Sequence, residues 1–142
     1  MKSIFLSLLI TLALEASSSN THQIKIIEKI FSEISIGEEL KIWSDSSDIL
    51  FGLQTSAHFK IVQNLQDANI IILEKSDTFL SEYLSKAIFV LNYSLLSEIP
   101  QSFGALFWKK GRPNIVIIQP RIEKQSITVS KDLYPYMEDR VW

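Results

Sequence analysis

The chain has 142 residues, 46% of them apolar and 21% charged, with a formal net charge of −2 and no cysteine. That composition belongs to a globular domain rather than a disordered one, and the near-even charge argues against general binding to nucleic acid or to an anionic membrane surface. Without cysteine, disulfides, thiol chemistry and the usual zinc sites are excluded, so the core alone must hold the fold.

Met1 and Lys2 lead into an apolar run without charge from Ile4 to Leu14, and Ala16-Ser17-Ser18-Ser19-Asn20 follows. A basic start, an apolar centre and a small-residue exit are the parts of a secretory signal. The run is shorter than the roughly 20 residues of a membrane span. Residues 1–16 are therefore expected to be a signal peptide, 17–21 a polar leader and 22–142 a single α/β domain. The mature N-terminus is expected between Ser17 and Asn20, with a periplasmic destination and no stable membrane insertion after cleavage. About 125 residues remain, enough for one real core.

From His22 to Ser35, Ile24, Ile27, Ile30, Phe31 and Ile34 recur at helical spacing, with Thr21 as a cap. Gly37 ends the pattern. Leu40 to Trp43 reads as the first strand, and Ile49 to Leu53 opens a second helix after the loop Ser44–Asp48. His58 to Val62 is a short strand. Ala68 to Leu73 and Lys86 to Leu91 are continuous apolar runs, as strands buried on both faces would be. Short helices are expected over Asp77–Leu84 and Tyr93–Ile99, the second stopped by Pro100. Leu106–Trp108 and Ile115–Ile118 read as two strands joined by Lys109–Pro113, and Ser130 as the cap of a last helix running to about Arg140. Strands alternating with helices predict an α/β fold, a three-layer sandwich with a mostly parallel sheet and an antiparallel edge hairpin.

Two segments carry candidate chemistry. Ser44-Asp45-Ser46-Ser47-Asp48 sits between a strand and a helix, where ligands gather in parallel sheets. Ser44, Asp45, Ser46 and Asp48 are a candidate ligand site, or else a set of helix caps. The second segment is basic. From Gly104 to Lys124 there are five bases and one acid, whereas from Glu28 to Glu98 there are five bases and eleven acids. Trp108, Lys109, Lys110, Arg112 and Arg121 are thus candidates for contact with an acidic protein, the alternative being a solvated hairpin whose lysines blunt a sheet edge. His22 and His58 have no reason in the sequence to pair with a nucleophile or metal, and Glu38-Glu39 reads as a solvated turn. No Gly-rich phosphate loop, HExxH motif or GxSxG elbow is present. No catalytic residue, cofactor or metal is expected.

The order of Lys29-Ile30-Phe31, Leu40-Lys41-Ile42-Trp43, Ala68–Leu73, Ile88–Leu91, Gly104–Arg121 and Ile127–Leu133 resembles the YfiR-type periplasmic regulators. The family's cysteines are absent, and Gly104 stands alone where the family has paired glycines. The resemblance implies a non-enzymatic periplasmic repressor that docks on the sensor region of an inner-membrane diguanylate cyclase. It assigns no individual binding residue. The expected function is therefore an exported regulatory or adaptor domain acting by protein contact. The alternative is a small-molecule-binding periplasmic domain related to solute-binding proteins.

Overall fold

The computed structural model describes residues 21–75 and 85–142. The signal segment and the helix expected over Asp77–Leu84 lie outside the described residues.

Residues 21–32 are helical (α1), so Thr21 is already inside the helix and is not its cap. Ile24, Ile27, Ile30 and Phe31 are buried, as their spacing requires. Then follow β1 (Ile34–Ser35), β2 (Lys41–Ser44), α2 (Ser47–Leu53), β3 (Lys60–Ile61), β4 (Ile70–Leu73), β5 (Ala87–Val90) and α3 (Leu95–Glu98). The chain closes with β6 (Ser102–Lys109), β7 (Arg112–Ile118), α4 (Gln119–Lys124), β8 (Thr128–Val129), a 3-10 helix over Lys131–Tyr136 and β9 (Met137–Glu138).

Seven strands form one sheet in the order β3-β2-β4-β5-β6-β7-β9. The first five run parallel to one another, β7 turns back against β6, and β9 lies parallel to β7. The hairpin is thus not the outermost pair: β9 covers Ile117 and Ile118 of its outer strand. A second, two-stranded sheet pairs β1 with β8 antiparallel. Sequence reading missed it, because two-residue strands leave no periodicity to detect.

The continuous run of β4 divides by parity. Ile70 and Ile72 join one core with α1, α2, Phe89 and Ile117, and Ile71 and Leu73 join another with Ile88, Val90, Leu95 and Leu96 of α3. Helices therefore cover both faces and the sheet forms the middle layer, as the unbroken apolar strands predict. Where the chain moves from β2 to β3 it crosses on the α2 face, and where it reverses direction toward β6 it crosses on the α3 face. That switch of face is what a consistent crossover hand demands.

Two expectations are corrected at the C-terminal end. The long last helix is replaced by the 3-10 helix and β9. Ser130 does cap, its side chain accepting from the Asp132 amide, but Pro135 inside the segment has no N–H to carry an α-helical ladder. The unforeseen α4 starts with Pro120 in its first turn, a favourable place for a residue whose missing N–H would be unpaired there anyway.

One polar cluster ties the first helix to the last third of the chain. Lys29 Nζ donates to Glu33 at 2.8 Å and to Asp132 at 3.1 Å, and the Ser130 hydroxyl donates to Glu33. The bonds from Lys29 and Ser130 hold the Glu33 carboxyl below its ordinary pKa of 4.5. A lowered carboxyl pKa contributes stability that is present above the ordinary value and lost as pH falls through the folded one. We expect the melting temperature of the wild type to fall more steeply below pH 4.5 than that of Glu33→Gln. Parallel acid limbs in thermal melts of the two proteins would refute this.

Candidate functional site

The β6–β7 hairpin turns through two residues. Lys109 pairs with Arg112, and between them Lys110 (φ 53°) and Gly111 (φ 74°) both take positive φ. Two consecutive left-handed residues make the turn whose twist matches that of the flanking strands. It leaves Lys109, Lys110 and Arg112 at the tip, all three exposed. One step inward Trp108 pairs with Pro113 and remains 44% exposed. A proline is tolerated here because β7 has only β9 beyond it, and β9 pairs no further than Ile117.

On the α1 face of the hairpin, the Trp108 ring meets His22 edge-on, with centroids 6.0 Å apart. His22 opens a groove of about 370 Å³ between α1 and β7, lined also by Lys25, Ile26, Ile115, Leu133 and Tyr136. His22 was expected to be merely solvated. It is exposed, but it belongs to this surface. Its link to Trp108 spans 86 positions of sequence and has no local signature. Phe107 points to the opposite face, edge-on to Tyr93 at 5.0 Å. The Tyr93 hydroxyl in turn accepts from the Trp142 amide at 2.9 Å, which ties the Trp142 backbone to Tyr93.

Arg121 does not belong to this group. It sits on α4, beyond the whole length of β7, which at about 3.3 Å per residue carries it roughly 20 Å from the tip. Its Nη1 donates to the Leu96 carbonyl at 2.8 Å and to the Ser102 carbonyl at 2.9 Å. Burial lowers the pKa of its guanidinium. Closeness in sequence to the basic turn was misleading, because the intervening strand is extended.

No protein-family model, curated protein or solved structure matches the chain.

The serine- and aspartate-rich loop lies where the connections from β2 diverge, the usual ligand crevice of such sheets. Asp45 bridges this crevice itself: its carboxylate accepts the amides of Glu74 at 2.8 Å and Lys75 at 3.0 Å. Ser46 caps α2 by accepting from the Ile49 amide, and Ser44 accepts from the Ser46 amide at 3.1 Å. Asp48 stands in the first turn of α2, where a carboxylate meets the positive end of the helix. The four residues do come together, but in the capping arrangement. His58 and the Glu38-Glu39 pair lie elsewhere; Glu38 accepts from the Asn69 side chain at 3.1 Å. Among the described residues no group of three or more His, Asp or Glu is placed to hold a metal ion.

Proposed function

We propose that this chain is an exported regulatory or adaptor domain that acts by protein contact, with the β6–β7 hairpin as its docking element. The observation that carries the reading is Trp108, left 44% exposed beside Lys109, Lys110 and Arg112 on a tight two-residue turn. Aromatic and arginine side chains are the usual anchors of protein interfaces. A tip already held in one conformation loses little entropy on binding. Its charge suits an acidic partner. The resemblance to YfiR-type regulators supplies the partner class: the periplasmic sensor region of a membrane-bound signalling enzyme such as a diguanylate cyclase. The solute-binding alternative has less support, because Asp45, Ser44 and Ser46 already spend their oxygens on backbone amides.

The test is Lys109→Glu with Arg112→Glu. Exposed charges at a hairpin tip add little to folding, so the melting temperature should stay unchanged. Association with an acidic partner is steered by such charges and should be lost, after falling steeply with salt in the wild type. Pull-downs from a periplasmic and membrane extract, wild type beside variant, read the outcome. Recovery of the same partners by both would refute the hairpin as the docking element.

A further inference from the structure

A second concavity lies at the other end of the sheet, where the parallel strands begin. It is a groove of about 610 Å³ whose polar wall comes from Asn69, Lys86, Gln101, Arg121, Lys124 and Gln125. This volume falls within the range of small-molecule sites. Ile36, Pro100 and Ile127 give it apolar surface. Three of its lining residues are basic and one, Glu38, is acidic. Glu38 is already held by the Asn69 side chain. Lys86 is turned onto the carbonyls of Gln66 and Ala68. Arg121 commits Nη1 to the protein and retains its other donors. Lys124 is exposed at the rim.

Gln101 completes the picture. Its carbonyl accepts from the Gln125 side chain at 2.8 Å, which anchors its backbone to the end of α4. Its own Nε2 is shielded from solvent and has no hydrogen-bond partner. A shielded amide donor without an acceptor is costly, and native structures rarely keep one without a use. Gln101 lines the groove, so this donor lies in its wall and lacks an acceptor.

We propose that this basal groove binds a small organic anion, a carboxylate or phosphate on an apolar body, with Lys124, Arg121 and Gln101 as its donors. Charged donors grip such oxygens more strongly than neutral ones, and the apolar wall takes the body of the ligand. The site is independent of the hairpin, so either assignment can fail without the other. For a regulatory domain it would be the place where a chemical signal enters.

The experiment uses the mature chain with benzoate, phenyl phosphate and, as a control of opposite charge and like shape, benzylammonium. Either anion should raise the melting temperature while benzylammonium does not, and the stronger of the two names the preferred head group. Lys124→Glu should weaken that binding about tenfold or more, the effect of losing one charge-assisted contact. Gln101→Leu should leave the free protein as stable as the wild type or more so, because it removes an unpaired donor, and should weaken anion binding as well. Loss of affinity in either variant keeps the site in the groove. Absence of a shift with both anions, an equal shift with benzylammonium, or unchanged affinity in both variants overturns the proposal.

Discussion

Phe89→Ala should cost about 3–5 kcal/mol in urea unfolding, a large share of the 5–15 kcal/mol typical of a domain. Phe89 is fully buried on β5 near the middle of the sheet. Its ring lies 5.3 Å from that of Phe31 on α1 and 5.7 Å from that of Phe103 on β6. Phe31 also meets Phe103 edge-on at 6.4 Å, so the three rings form one cluster joining helix to sheet. Truncation at its centre leaves a cavity that neither neighbour can fill without leaving the other. Phe51 is the control: 78% exposed, it should change stability by no more than about 0.5 kcal/mol when replaced by alanine. A loss under about 1 kcal/mol for Phe89→Ala would mean that the cluster is not central to the core.

Gly104→Val should be comparably severe for a different reason. A Cβ at Gly104 would stand 2.7 Å from the Val116 carbonyl oxygen, 2.9 Å from Ile117 Cδ1 and 3.3 Å from Phe89. The nearest of these is backbone. Val116 is paired with Ala105 in the β6–β7 ladder, so its carbonyl retreats only by opening the hairpin. Overpacking costs about 1–3 kcal/mol where side chains can move aside. Here the strands themselves must part, and the amides from Ala105 to Ile117 should lose protection in hydrogen exchange. Wild-type protection at those amides in a folded Gly104→Val protein would refute the argument.

Gly104 illustrates what was legible in the sequence and what was not. Its position before a strand, a basic turn and a second strand was readable, and so was the hairpin. Its necessity was not, since that depends on Phe89 and β7 approaching it from separate strands. The unbroken apolar runs of β4 and β5 announced a buried parallel sheet because each residue there is apolar whichever face it meets. β6 was underread: Ser102 and Gly104 interrupt the apolar pattern, and the pairing with β5 shifts register between Ile88 and Phe89. At the hairpin, the turn and its run of charge were legible because turn chemistry and charge are local. That Arg121 lies away from the tip and His22 beside Trp108 was not legible, because their surroundings are set by α4 and by the packing of α1 against β7, which no short window of sequence contains.

The small sheet of β1 and β8 has a consequence for how the chain reaches its native state. Its strands are joined by a bond between Thr128 and Ser35, 93 positions apart. Closing so long a loop is entropically unfavourable until other contacts have drawn its ends together, and pairings of this kind slow folding. The segment that follows the first helix is fastened by β8, so a partly synthesised chain lacks that fastener although the helix already has Phe89 and Phe103 to pack against. A polypeptide emerging from the ribosome would leave β1 unpaired until residues 128–129 are available.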